Sequence, residues 1–180
     1  MPQSGRRVIL LVGFMGAGKT SVGKLLAKRL NTRFVDLDDL IVAREGRSIA
    51  QIFEEAGESG FRSRESAALH ELLFGPTSLT DAVVALGGGA LSRAENRAAI
   101  QRSKTQTIFL DAPIEELFQR CVAQQLPRPL LKDLRSFREL YLSRGPQYSV
   151  VATRIETSGK TVDQVCEQVI SQIEDTKENQ

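Results

Sequence analysis

The chain has no tryptophan, one histidine (His70), two cysteines (Cys121 and Cys166) and a near balance of 24 basic against 22 acidic residues. Each shortage removes a class of function. One histidine argues against a metal site built from several imidazoles. The cysteines are far apart and form no CxxC or Cys/His pattern, which fits reduced thiols in a cytosolic protein better than a disulfide framework. A formal net charge of +2 gives no overall field to attract nucleic acid or a membrane surface, so any basic residue that matters does so by position. No stretch approaches the roughly 18 apolar residues needed to cross a bilayer. Arg6-Arg7 before an apolar run resembles a short signal-peptide core, but a glycine-rich motif inside that run decides against it. The sequence also lacks internal repeats, low-complexity tracts and Pro/Gly-rich linkers, so residues 1–180 are expected to form one domain with frayed ends near 1–5 and 175–180. The expectation is a cytoplasmic, globular, monomeric protein with no nucleic-acid or membrane partner. An unfused domain without an Arg/Ser-rich leader is also what a bacterial cytosolic enzyme would look like.

What is present begins at Gly13-Phe14-Met15-Gly16-Ala17-Gly18-Lys19-Thr20, a full GxxxxGK[ST] loop after the apolar run Val8-Ile9-Leu10-Leu11-Val12. Glycines let the backbone wrap an anion with inward N–H groups, Lys19 adds a point charge for the β- and γ-phosphates, and Thr20 offers a hydroxyl to Mg²⁺. Helical spacing follows at Val22, Leu25, Leu26 and Leu30, so the loop opens a helix whose N-terminal N–H groups favour the same anion. This context separates the motif from a chance glycine-rich match.

Apolar, β-branched runs at 8–12, 33–37, 82–86, 106–110 and 153–157 predict five strands. Helical patterns lie near 19–30, 37–45, 48–55, 59–73, 93–102, 114–124, 134–144 and 161–174. Such alternation predicts an α/β fold, three layers α/β/α around a five-stranded parallel sheet with right-handed crossovers. Ligands of open parallel sheets sit beyond the carboxyl ends of the strands. The phosphate loop, Asp36-Leu37-Asp38 and Gly87-Gly88-Gly89 all fall at such ends, around one crevice.

Asp36 and Asp38 would point to one side if the backbone stays extended there, one for Mg²⁺ beside Thr20 and the other for an acceptor hydroxyl. The competing use is a helix N-cap by Asp38 or Asp39, worth about 1 kcal/mol. Arg62 and Glu65, spaced i,i+3, fit either a structural surface ion pair or a carboxylate that orients a working guanidinium. Phe61 reads as a core anchor and Arg64 as a solvated charge. The Gly87–Gly89 run lacks the acidic residue of a Walker B strand and reads either as a tight turn or as main chain approached closely by a substrate. Arg128, framed by Pro127 and Pro129, is either a solvated loop residue or a cation aimed at transferring phosphate. Arg144 is expected near a helix end, where a cation also suits the dipole.

In this order the motifs resemble the shikimate kinase family: GFMGAGKT at 13–20, FVDLDDLI at 34–41, GxSIxxIFEExGExxFRxxE at 46–65, LGGGA at 86–90, RPLL at 128–131 and RxxxYxxxA at 144–152. The resemblance runs from about Val8 to Ala152. It implies a phosphate-loop kinase fold with a small lid at about 123–135 and an acceptor-binding segment at about 36–65. The implied reaction moves the γ-phosphoryl group of ATP to the 3-hydroxyl of shikimate. Gly13, Gly16, Ala17, Gly18, Lys19, Thr20 and Ser21 would bind ATP, Thr20 and Asp36 would fix Mg²⁺, and Asp38 would hold the acceptor hydroxyls and serve as base. Arg62 and Arg144 would clamp the shikimate carboxylate with help from the backbone of Gly87, Gly88 and Gly89. Arg128 would descend on the phosphates and Arg120 would lie against adenine. Val42 stands where many members carry Glu, at a position that is not a substrate contact in the pattern. A kinase for another small acceptor such as gluconate would not be expected to carry this set of motifs. A regulatory module that has lost catalysis is disfavoured by the intact Lys19, Thr20, Asp36 and Asp38 and by all three motif arginines.

Overall fold

A computed structural model describes residues 7–75, 81–123 and 133–178. Five strands, β1 (Arg7–Val12), β2 (Arg33–Asp36), β3 (Asp81–Ala85), β4 (Gln106–Asp111) and β5 (Thr153–Glu156), form one sheet in the order β2-β3-β1-β4-β5. Every pairing is parallel. Consecutive residues Ile9, Leu10 and Leu11 of the central strand are all fully buried. Because side chains alternate between faces, this requires cover on both sides of the sheet.

That cover comes from α1 (Lys19–Arg29), α2 (Leu37–Glu45), α3 (Ile49–Phe74), α4 (Ala94–Ser103), α5 (Ile114–Ala123), α6 (Leu134–Ser149) and α7 (Val162–Glu178). Helix α3 starts with a capping box in which Ser48 Oγ accepts from Gln51 N at 3.2 Å and Gln51 Oε1 accepts from Ser48 N at 2.8 Å. Helix α6 is capped by Asp133, whose Oδ1 accepts from Ser136 N at 2.8 Å.

The segments expected at 48–55 and 59–73 are both present as the two parts of α3, separated by a break at Gly57, whose φ of 66° and ψ of −176° fall where only glycine sits at ease. Two features differ from expectation. Helix α6 runs past residue 144 and through Pro146 to Ser149, so Arg144 lies inside the helix instead of near its end. Tyr148 explains the continuation: it is buried, stacks on Phe109 at 4.9 Å, and its hydroxyl donates to Gly88 O at 2.5 Å. These contacts hold a turn that local propensity would release. A short 3₁₀ turn at Ala90–Ser92, below the reach of periodicity, follows the glycine run and is pinned by Asn96 Nδ2 donating to Ala90 O at 2.7 Å.

Candidate active site

The phosphate loop joins β1 to α1, and its shape demands glycine at two places above others. A Cβ on Gly13 would lie 2.4 Å from Leu110 O, and one on Gly16 would lie 2.5 Å from Leu117 O, so the loop is wedged against β4 and α5 main chain. Ala17 is buried beneath it, whereas Thr20 and Ser21 are exposed in the first turn of α1. Lys19 Nζ folds back to donate to Gly13 O at 2.8 Å and Phe14 O at 3.0 Å, an ammonium held over the loop's centre by carbonyls that phosphate oxygens can replace.

Asp36 ends β2 and is the N-cap of α2, its Oδ1 accepting from Asp38 N at 3.1 Å. Two features differ from the sequence reading. The capping residue is Asp36 rather than Asp38 or Asp39, and Asp38 is already helical, so the aspartates meet through a cap instead of through strand alternation. Burial pushes both carboxyls above the ordinary aspartate range; for Asp38 the charge of Asp36 adds to the rise, while Lys19 and Arg62 oppose it. The Lys19 charge and the Thr20 hydroxyl both act on the Asp36 carboxyl in the lowering direction. Asp38 Oδ1 is buried without a hydrogen-bond partner among the described residues.

Arg62 comes from the second part of α3. Its Nη1 donates to Glu65 Oε2 at 2.8 Å, and the Glu65 side chain is fully buried, so this is no surface pair. Burial raises the Glu65 carboxyl, with Arg62 pulling it down and Asp38 pushing it up. Phe61, buried in the core, carries the Arg62 guanidinium 5.2 Å from its ring centre. Arg64 is not a solvated charge: its Nε donates to Glu45 Oε2 at 2.7 Å and its Nη1 to Gly60 O at 3.1 Å, tying α3 to α2.

The glycine run lies at the centre of these groups. A Cβ on Gly87 would approach Glu65 Oε1 to 2.9 Å and Asp38 Oδ1 to 3.1 Å, one on Gly88 would face Gly13 O at 3.6 Å and Arg144 Nη1 at 3.9 Å, and one on Gly89 would strike Arg62 Nη2 at 2.3 Å. Arg144 is buried with its guanidinium 6.0 Å from the Phe14 ring centre, and burial lowers its pKa. Lys19, Asp36, Asp38, Arg62, Glu65, Arg144 and the glycine run thus enclose one space at the carboxyl ends of β1, β2 and β3.

Arg120 sits on the other flank of the loop. It donates to Gly16 O at 3.4 Å, to Thr157 Oγ1 at 3.0 Å and O at 3.1 Å, and to Glu116 Oε1 at 2.5 Å. Arg128 and most of the segment expected as a lid fall outside the described residues. The sequence reading quoted Tyr148 as part of a motif without giving it a role; its spacing of four from Arg144 on one helix was the available signal.

Known proteins share this fold and family pattern. The family model described as shikimate kinase matches residues 15–174. A shikimate kinase of Persephonella marina is 42% identical over 168 residues, covering 93% of this chain and 99% of that protein. The solved structure of a shikimate kinase from Acinetobacter baumannii in complex with shikimate superposes with a TM-score of 0.85 at 36% identity, covering 95% of this chain and 94% of that one. A gluconokinase structure from Sinorhizobium meliloti aligns over 97% of this chain and 95% of that one, with a TM-score of 0.65 at 17% identity, a likeness of fold alone.

Proposed function

The chain belongs to the shikimate kinase family, and from that premise we propose that it transfers the γ-phosphoryl group of ATP to the 3-hydroxyl of shikimate, releasing ADP and shikimate 3-phosphate. The observation that carries the reading is the convergence of one half-buried carboxylate, Asp38, and two guanidinium groups, Arg62 and Arg144, on a glycine run that abuts the phosphate loop. Two cations facing one small space suit a carboxylate, which a planar guanidinium binds through two parallel hydrogen bonds. A partnerless Asp38 Oδ1 suits the hydroxyl beside it.

Phosphoryl transfer passes through a loose transition state, so positioning and charge neutralisation outweigh proton removal. Lys19 exchanges the Gly13 and Phe14 carbonyls for phosphate oxygens, and the N–H groups from Gly13 to Ser21 wrap the remaining charge. Asp38 accepts a hydrogen bond from the acceptor hydroxyl, aligns its oxygen and takes the proton as the bond forms; its raised pKa makes it a better proton acceptor than an ordinary aspartate. Arg62, held by Glu65, and Arg144 fix the ring by its carboxylate. Arg120 takes the adenine side, and Arg128 is assigned from its motif to the transferring phosphoryl.

Thr20 and Asp36 fit a Mg²⁺ ion. An exposed hydroxyl and a half-buried carboxylate beside it are the sparse hard-oxygen set this ion uses when substrate phosphates and water complete its shell. Bound there, Mg²⁺ neutralises phosphate charge. We take residues 1–180 as one cytoplasmic, monomeric kinase domain with its acceptor segment at about 36–65 and its lid at about 123–135, acting without nucleic acid. Phosphorus NMR of the product tests the assignment: a phosphate coupled to the ring proton at carbon 3 is expected, and a phosphate on added gluconate in preference to shikimate would overturn it.

A further inference from the structure

The carbonyl groups of the glycine run are all engaged. Gly87 O accepts from Ala90 N at 3.0 Å, Gly89 O accepts from Ser92 N at 3.0 Å and Ser92 Oγ at 2.7 Å, and Gly88 O accepts from Tyr148 Oη at 2.5 Å. The N–H groups of the same three residues meet no acceptor among the described residues. Two of these carbonyls are held by the 3₁₀ turn that follows. The middle one is held by a side chain from a distant helix.

A trans peptide is planar with its C=O and N–H opposed, so fixing the Gly88 carbonyl fixes the Gly89 N–H in the opposite direction. Glycines on both sides leave this peptide free to rotate unless something holds it. Tyr148 is built to hold it: its ring is buried and stacked on Phe109, and its hydroxyl reaches no acceptor other than Gly88 O among the described residues. Gly89 lies under Arg62, and Gly88 faces Arg144, so the peptide between them borders the part of the crevice where both guanidinium groups converge.

We propose that Tyr148 is a positioning residue for the acceptor: by fixing the Gly88 carbonyl it aims the Gly89 N–H at the acceptor's carboxylate, between Arg62 and Arg144. This rests on the function proposed above and adds a determinant that touches neither substrate. Tyr141, on the same helix, supplies the control. Its hydroxyl donates to Asp111 Oδ1 at 3.0 Å and Oδ2 at 3.2 Å, away from the glycine run, so its loss removes a part-buried phenol bond without freeing the peptide.

The test compares wild type, Tyr148→Phe and Tyr141→Phe in shikimate-dependent ADP release, with ATP binding measured separately. Loss of one directed hydrogen bond in Tyr148→Phe should raise the shikimate KM about tenfold, with ATP affinity unchanged, and Tyr141→Phe should leave that KM within about twofold. Binding of an analogue whose ring carboxylate is reduced to hydroxymethyl should be insensitive to Tyr148→Phe. An unchanged shikimate KM, an equal rise in Tyr141→Phe, or an equal loss of affinity for the analogue would each overturn the proposal while leaving the kinase assignment intact. A wild-type enzyme that fails to turn over shikimate overturns both. If Tyr148→Phe does not fold, ¹⁵N-glycine NMR of the wild-type protein decides the matter. The Gly89 amide proton is expected to move downfield on shikimate addition, and an unmoved Gly89 amide at saturation contradicts the proposal.

Discussion

Asp38 combines three conditions that bear on its chemistry: a half-buried carboxylate, a buried oxygen without a partner among the described residues, and a second carboxylate, Glu65, at the same glycine. Keeping it ionised there costs stability, because burial and like charge disfavour the anion. Asp38→Asn should therefore lower kcat by about 10²-fold or more while ATP affinity stays near wild type; unaltered turnover would remove the residue from the mechanism. The same change should alter stability with pH in a defined direction. A carboxyl raised in the folded state binds protons that the unfolded chain has released, so its contribution is fully present below the ordinary value of 3.8 and is lost as pH rises through the folded pKa. Asn removes that loss, and Asp38→Asn should melt about 2–4 °C above wild type near pH 7.5, with the gain shrinking in acid. Calorimetry that shows a lower melting temperature at neutral pH would contradict the burial argument.

Arg62 pairs with Glu65, and we propose a second role for it toward the acceptor. Arg62→Ala should raise the shikimate KM about 10- to 100-fold. It should also cost about 3 kcal/mol of stability, because the fully buried Glu65 loses its guanidinium. Adding Glu65→Gln should recover stability but not KM, and a double variant that regains acceptor affinity would show that Arg62 serves only as a structural partner.

At the scale of elements, α3 is two helices set at an angle by one residue. A Cβ on Gly57 would meet nothing within 4 Å, so backbone conformation alone resists substitution there. Gly57→Ala should cost about 1–3 kcal/mol in denaturant melts and weaken acceptor binding through Arg62, whose half of α3 it would reorient; a neutral effect on both would mean the break carries no strain. The elements also show why parts of the fold were legible and others were not. Strands β1, β3 and β4 each centre on an apolar run, and their bounds fall within a residue of the sequence reading. The phosphate loop was legible because glycine spacing is its structure. The final turn of α6 was not, because Tyr148 holds it by contacts with β4 and the glycine run, both remote in sequence. The position of Asp36 as a cap was missed for a related reason: β2 stops one residue earlier than its alternation suggested. Glu65 was visible as a partner for Arg62 by spacing, but its complete burial depends on Gly87 and Asp38, which no local pattern links to it.

For the whole molecule, the parallel sheet gathers residues from distant segments at one edge. Phosphate-loop groups follow β1, the aspartates follow β2, the glycine run follows β3, and α6 brings Arg144 across to meet them. Phe14 joins donor and acceptor sides, since its ring packs edge-on against Phe137 at 4.9 Å and Tyr141 at 5.5 Å of the helix that carries Arg144. A shared fold does not choose the acceptor, and the likeness to a gluconokinase structure is one of fold alone. We propose that the arginines and Asp38 make that choice, and one measurement tests it most directly: ADP release by purified protein with Mg·ATP, in the presence and absence of shikimate. The account predicts slow release without shikimate and strong, saturable stimulation with it. ATP binding with no stimulation by shikimate would contradict the assignment of the acceptor site.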